Sequence, residues 1–178
     1  ANDLDAYANT ADATLGWRGE NPSTRFLRLC QEEGIAAQSI SHGQTGNLVA
    51  MGVQGSLPLV DLLREIPTTD GGLLLEPLDE LGLRYRTRLS RYNRDATLTL
   101  DYAQNQLSAS LDPADDDRFS RNDVTITREG GTFNQQVLES GTMSVQTPPN
   151  GIGRYDTSET ISLRDDGLLA DQAGWRLH

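Results

Sequence analysis

Lysine is absent from this sequence, and thiol and imidazole side chains are rare. All 15 basic residues are arginine, and the chain has one cysteine and two histidines. A single cysteine excludes an intramolecular disulfide and a cysteine-rich metal site. Cys30 falls on a helical apolar pattern, which favours a buried structural thiol over a catalytic nucleophile.

Aromatic residues and long apolar runs are also scarce. Phe, Trp and Tyr make up 6% of the chain, so the core has to be built mainly from Leu, Val and Ile. The shortage of aromatic rings weighs against a sugar-binding cleft. No apolar run approaches the ~18 residues that a transmembrane helix needs, so we expect no membrane span.

Acidic residues outnumber basic ones. With 26 Asp and Glu residues against 15 Arg, the formal net charge is −11. Proteins that bind nucleic acids usually carry a basic face that neutralises phosphates, so we expect no nucleic-acid partner. The acidic excess favours solubility and keeps free copies of the chain apart. The 178 residues suffice for one domain or two small ones.

Two short amphipathic helices are predicted in the first half of the chain. Asn21 and Pro22 suit an N-cap and a first helical residue, and Gly34 suits the position after the last turn. A second helix is predicted from Ser56, which would cap it, to Pro67, which would stop it. Its apolar residues have the i, i+3, i+4, i+7 spacing of one helical face: Leu59, Leu62, Leu63 and Ile66.

Short strands separated by turn residues fill much of the remaining sequence. They are predicted at residues 35–41, 73–76, 83–89, 96–102, 106–111, 122–128, 132–138, 142–146 and 154–163. The predicted fold class is therefore α+β, mainly antiparallel β in a barrel or sandwich, with two short amphipathic helices. We expect an N-terminal arm at residues 1–20, an α+β helix–strand–hairpin unit at residues 21–111 and an antiparallel β unit at residues 112–178. The chain begins without Met, and a helical pattern that starts at Asp171 is not completed, so we expect a fragment truncated in its C-terminal helix.

No residue pattern predicts an enzyme. His42 lies near serines, but no G-x-S-x-G turn presents a serine as a nucleophile. The acidic loop at residues 112–117 has the oxygen ligands that calcium prefers, but it lacks the ligand order of an EF-hand. We therefore predict no catalytic residue, no cofactor and no metal ligand, and calcium binding by this loop remains an open alternative.

A row of arginines follows a predicted strand and the connection after it. The first three alternate with apolar residues and so share one face of the strand. Like charges on one face are mildly unfavourable unless carboxylates lie opposite them, either in the same sheet or on another subunit. An exposed sheet face is the alternative to an interface. The candidate interface residues are Arg84, Arg86, Arg88, Arg91 and Arg94.

Several short motifs occur in a characteristic order. The sequence SLPLVDLLREI (residues 56–66) is followed by DGGLLLE (70–76) and by LGLRYRTR (81–88). Further along come TLTLDY (97–102), RNDVTITR (121–128), GRYD (153–156) and DQA (171–173). In this order, over residues 21–178, the motifs resemble minor tail or tail-hub proteins of long-tailed phages, including prophages of actinobacteria.

This resemblance implies a structural component at the distal end of a phage tail. Hubs of that kind consist of β-barrels with α/β insertions, and they assemble as rings, often trimers, together with other tail proteins. The implied location is the virion tail, or the bacterial cytoplasm during assembly from a prophage. The resemblance carries over no catalytic residue.

Two other functions remain open from the sequence. The first is a carbohydrate- or receptor-binding module of a tail or secreted protein, which predicts an exposed aromatic cluster from Trp17, Tyr92, Tyr102 or Tyr155. The second is a carboxylate-dependent glycoside hydrolase, which predicts two acids facing each other across a cleft, one of them with a raised pKa.

Overall fold

Helices and short strands alternate along the described part of the chain. The computed structural model describes residues 16–40, 49–91, 96, 98–104, 106 and 119–177. Within these ranges the elements are α1 (Pro22–Glu32), β1 (Ala37–Ile40), α2 (Leu59–Asp70), β2 (Leu73–Leu75), β3 (Leu83–Arg86), β4 (Asp123–Arg128), β5 (Phe133–Val137), β6 (Asp156–Ile161) and α3 (Leu169–Gly174). Single 3-10 turns occur at Leu89–Arg91, Tyr102–Gln104 and Asp166–Leu168. The predicted α+β class is confirmed.

The first two helices and the first sheet enclose one hydrophobic core. Helix α1 starts as predicted, because the Asn21 side chain accepts a hydrogen bond from the backbone N–H of Thr24 (2.9 Å). In the sheet, β3 lies between a parallel neighbour, β1, and an antiparallel one, β2. Tyr85 of β3 packs on Phe26 of α1, with 5.6 Å between the ring centroids. Cys30 is buried in this core as predicted, and burial raises the pKa of its thiol.

Helix α2 differs from its prediction at both ends. It begins at Leu59 rather than at a Ser56 cap, and it continues through Pro67 to Asp70. Both predicted ends are therefore wrong. Asp70 is buried, so tertiary contacts hold a last turn that a proline alone would weaken. Gly71 then ends the helix with a φ of +78°, a conformation that glycine adopts without strain.

The second sheet has its own core. Strand β4 is central, with β5 antiparallel on one side and β6 parallel on the other. The predicted alternation on β4 is confirmed, since Val124 and Ile126 are both fully buried. Helix α3 packs against this sheet and begins two residues before the predicted start at Asp171. The core residues are Val49, Val124, Ile126, Ile161, Leu163, Leu169 and Ala173.

The sheets are neither mainly antiparallel nor closed into a barrel in the described ranges, so both of those predictions are wrong. Each sheet combines one parallel and one antiparallel pair. Side chains alternate with a period of two in either kind of pair, so the sequence pattern cannot distinguish them. The parallel neighbours are distant in sequence and need crossover connections. The sandwich alternative stays a prediction.

Two predicted strands are not found where the structure describes them. Residues 98–102 contain no strand, and Leu98 and Leu100 are exposed, so their alternation has no apolar surface to pack on. Residues 142–146 form turns instead of a strand. Of the strand predicted at residues 106–111, all but residue 106 lies outside the described part of the chain.

Main-chain hydrogen bonds attach the end of the predicted arm to the segment after Val49. The N–H of Gly19 donates to the carbonyl of Met51 (2.9 Å), and the N–H of Met51 donates to the carbonyl of Glu20 (2.8 Å). Met51 belongs to the first core and Val49 to the second, so this segment contacts both. The domain boundaries at residues 20 and 111 and the truncated C-terminal helix stay predictions.

Candidate functional site

The predicted arginine row begins on β3, where the structure brings Arg84 and Arg86 to one face. Arg84 is paired within the chain, with 3.3 Å between its Nη2 and Oε1 of Glu80. Arg86 is half-buried, and its Nε has no hydrogen-bond acceptor among the described residues. Arg94 lies outside the described residues. The interface role of these arginines stays a prediction.

Arg88 and Arg91, beyond the end of β3, are directed towards other elements of the same chain. Arg88 is only 6% exposed, and its Nη2 donates to Oδ2 of Asp171 at 2.8 Å. Its guanidinium also lies 5.1 Å from the ring centroid of Trp175. Arg91 donates from Nη1 to the carbonyl of Gly71 (3.1 Å). These two arginines therefore attach the first sheet to the C-terminal helix and to the end of α2.

A buried carboxylate organises the end of β3. Oδ2 of Asp70 accepts hydrogen bonds from the Tyr85 hydroxyl (2.7 Å) and from the backbone N–H of Arg88 (2.9 Å). Burial, together with the negative charge of Asp70, raises the pKa of Tyr85. The phenol is therefore held neutral as a donor to the carboxylate.

Replacing Tyr85 with Phe tests this contact. We expect Tyr85→Phe to lower the free energy of unfolding by about 1.5–3 kcal/mol, because a buried carboxylate loses a donor. The neutral phenol stabilises the fold fully below its unfolded pKa of about 10, and that contribution is lost as pH rises further, since the folded pKa is raised. Urea unfolding of the unchanged chain should give a lower free energy of unfolding above pH 10 than at pH 8. This decrease should be smaller in Tyr85→Phe. Tyr102→Phe, at an exposed ring, is the matched control, and an equal loss there would contradict the assignment.

A second polar cluster joins the C-terminal helix to α2 and β6. Arg176, which is 7% exposed, donates from Nη2 to the carbonyl of Thr68 (2.7 Å) and from Nε to Oε2 of Glu159 (3.1 Å). Burial lowers the pKa of the Arg176 guanidinium, and the Glu159 carboxylate opposes that shift. The Trp175 ring lies 4.6 Å from the Arg176 guanidinium and packs over Gly71, where an added Cβ would lie 2.2 Å from the ring. No side chain larger than glycine fits under the indole.

The connection between β2 and β3, which we call the leucine loop (residues 76–82), exposes apolar side chains fully. Leu78 is 106% and Leu81 98% exposed. Three carboxylates accompany them, from Glu76, Asp79 and Glu80, of which Glu80 is paired with Arg84. A cavity of about 630 Å³ lies beside the loop, and its apolar lining comprises Ile35, Ala36, Pro77, Leu81 and Leu83.

The residues proposed for other functions are only partly described. His42, His178 and the acidic loop at residues 112–117 lie outside the described ranges. Inside those ranges, no group of three or more His, Cys, Asp or Glu side chains is placed to hold a metal ion. The Trp17 ring is covered by the Arg28 guanidinium at 4.1 Å, whereas Tyr102 is exposed. Tyr92 lies outside the described ranges, and the ring pair that the structure shows is Phe26 with Tyr85, neither of which belongs to the predicted cluster.

A cavity of about 490 Å³ between helix α2 and the ends of strands β4 and β6 carries acids and arginines. Glu65 and Glu129 line it, together with Arg18, Arg128 and Arg164. Next to it, hydrogen bonds from Arg164 and Arg128 hold the pKa values of Asp165 and Asp166 below their usual range. A general acid of a glycoside hydrolase needs a shift in the opposite direction.

The chain matches no protein-family model, and neither the curated proteins nor the solved structures yield a relative. No helix in the described ranges is long and apolar enough to cross a lipid bilayer.

The leucine loop was not singled out from the sequence. The signal available in the sequence was that each of its two leucines adjoins an acidic residue, between strands that both follow glycine.

Proposed function

We propose that this chain is a structural domain of a phage or prophage tail tip, similar to a tail hub, and that it acts by docking to other proteins. The motif order in residues 56–88 and 121–173 supports the tail assignment. The observation that carries the docking role is the full exposure of Leu78 and Leu81 in the leucine loop.

The exposed leucines favour docking for an energetic reason. Removing a leucine side chain from water contributes about 1.5–3 kcal/mol, so a partner that buries both gains a substantial share of a specific interaction. Leu73 and Leu75, on the adjacent edge strand β2, are 39% exposed and extend this apolar surface. The carboxylates of Glu76 and Asp79 would form its polar rim.

The proposal includes assembly of several copies into a ring, often a trimer in tail hubs, together with other tail proteins. The arginine row is a second candidate contact, through Arg84, Arg86 and Arg94, the last of which lies outside the described ranges. The proposed location is the virion tail, or the bacterial cytoplasm before the virion is complete. A structural role predicts that the domain has no catalytic turnover.

The leucine loop can be tested by removing its apolar side chains. We expect Leu78→Ser with Leu81→Ser to weaken association at least about tenfold, because two apolar contacts are lost. The free energy of unfolding should stay within about 0.5 kcal/mol, since both side chains are exposed. Sedimentation velocity over a concentration series measures the association, and urea unfolding measures the stability.

The control is Leu98→Ser with Leu100→Ser, which removes two other exposed leucines, 74% and 53% exposed. This control should associate as the unchanged chain does. A chain that stays monomeric at every concentration, or that hydrolyses a sugar polymer, would contradict the proposed function.

A further inference from the structure

Strand β5 has an outer edge that no described residue pairs with. In the second sheet β5 is bonded to β4 on one side and has no strand on the other. Unpaired edges offer a row of backbone donors and acceptors to any extended segment, so proteins usually protect them with charges, proline or bulges. Residues 132–138 contain no charged side chain and no proline. The edge is therefore unprotected.

The hydrogen-bond pattern shows which backbone groups are free. The N–H of Arg128 donates to the carbonyl of Thr132 (2.9 Å), and the N–H of Leu138 donates to the carbonyl of Asn122 (2.9 Å). In an antiparallel ladder the backbone N–H and C=O groups of alternate residues point towards the partner strand. Those of the even-numbered residues of β5 therefore point towards β4. The odd-numbered residues present their N–H and C=O groups outwards: Phe133, Gln135 and Val137.

We propose that the outer edge of β5 pairs with the same edge of a second copy of this chain, antiparallel and centred on Gln135. This inference rests on the proposed function for its premise that the domain assembles. The contact is twofold, so it joins two copies, or two rings, and does not itself close a ring. It is independent of the leucine loop, which lies on the other sheet.

Self-pairing is favoured by the register that it creates. With Gln135 opposite itself, Phe133 of each copy lies opposite Val137 of the other. Aromatic and β-branched side chains form favourable cross-strand pairs, and Phe133 is 67% exposed in the single chain. Three facing residue pairs, each exchanging two main-chain bonds, supply about six hydrogen bonds.

The absence of charge on the edge disfavours a charged partner. Each chain has a net charge of −11, yet the edge itself has no charge that would repel its own copy. The other described edge strands suit self-pairing less well, since β6 carries Asp156 and Glu159, and β1 and β2 are shorter. Two five-residue strands bury less than the ~1,200 Å² of a standard stable interface, so the contact should be weak and depend on concentration.

Salt should strengthen this contact. The overall repulsion between two acidic chains is screened as ionic strength rises, and the edge contributes no ion pair that salt would weaken. Association that becomes weaker between 0.05 and 0.5 M NaCl would point instead to a contact between arginines and acids, and would overturn the proposal.

Proline at position 135 tests the backbone directly. Gln135→Pro removes an outward N–H while leaving the bonds to β4 intact, so the fold should be retained. Gln135→Ala is the matched control, because both variants lose the side-chain hydrogen bond from Gln135 Nε2 to Oδ1 of Asp123 but only one loses the N–H. We expect the dissociation constant measured by sedimentation to rise at least about tenfold in Gln135→Pro relative to Gln135→Ala. Equal constants would overturn the proposal.

Cysteine cross-linking tests the register. The only native cysteine, Cys30, is buried and should not interfere. Under mild oxidation Gln135→Cys should form a covalent dimer, because position 135 faces itself, whereas Phe133→Cys should not, because it faces position 137. Absence of the Gln135→Cys dimer in a chain that still associates through the leucine loop would overturn the edge contact and leave the proposed function standing.

Discussion

Arg25→Met should lower the free energy of unfolding by about 2–4 kcal/mol, because two backbone carbonyls lose a buried guanidinium donor and the Glu20 carboxylate loses one of its two arginine partners. Arg25 is fully buried, and its Nε donates to Oε2 of Glu20 at 3.0 Å. Its Nη2 donates to the carbonyls of Trp17 and Gly52, both at 2.7 Å. The substitution therefore leaves a buried carboxylate and two carbonyls without a donor that they have in the native chain.

Two further variants separate the ion pair from simple loss of volume. Arg64→Met, at an exposed arginine 3.9 Å from Asp61, should change stability by less than about 0.5 kcal/mol. The double variant with Glu20→Met should recover none of the loss, because Arg28 still pairs with Glu20 in the single variant and loses that partner in the double one. Urea unfolding followed by circular dichroism measures all three. A loss below about 1 kcal/mol for Arg25→Met would show that the network does not stabilise the fold.

Arg176→Met should cost about 3 kcal/mol and should weaken the attachment of the C-terminal helix to the rest of the molecule. The substitution removes the side-chain donor to the Thr68 carbonyl and one of the two donors to Oε1 of Gln172, which keeps the bond from Trp175. A buried acceptor that loses its donor costs about 1–3 kcal/mol. It also removes the guanidinium that stacks on Trp175. Relative to the unchanged chain, Arg176→Met should accelerate hydrogen exchange of backbone amides more in α3 than in α1.

The matched control for this variant is Arg164→Met. Arg164 is 54% exposed and pairs with Asp165 at 2.9 Å, so its loss should cost less than about 1 kcal/mol. If the two variants unfold at the same urea concentration, the cluster around Arg176 is not what holds the C-terminal helix to α2 and β6.

Local signals in the sequence were sufficient for some elements. Asn21 and Pro22 start α1 because a side-chain cap and a fixed φ act within one turn and need no partner. The alternation of Val124 and Ile126 on β4 was also readable, since one face of that strand meets a core. The exposed pair Leu98 and Leu100 has a similar pattern and forms no strand. Alternation alone therefore does not decide whether a surface exists for the apolar face to cover.

Several features of the candidate sites depend on contacts between distant residues. Pro67 is inside α2 because the following turn is held by buried contacts, which outweigh the local preference against proline. Burial of Arg88 depends on Asp171 and Trp175, more than 80 positions away in the chain. The sequence row of arginines gave no indication that one member would bind the C-terminal helix. The open edge of β5 likewise follows from the strand order rather than from its residues alone.

The amino-acid sequence by itself determined the α+β class, the start of α1, the burial of Cys30 and the apolar alternation on β4. Each of these depends on preferences of neighbouring residues or on a period that repeats within one element. Tertiary structure alone decided the parallel pairs, the last turn of α2, the paired and unpaired arginines and the exposed leucine loop. The physical reason is that these features are set by the free energy of burying side chains against segments that are distant in the chain, which no local pattern encodes.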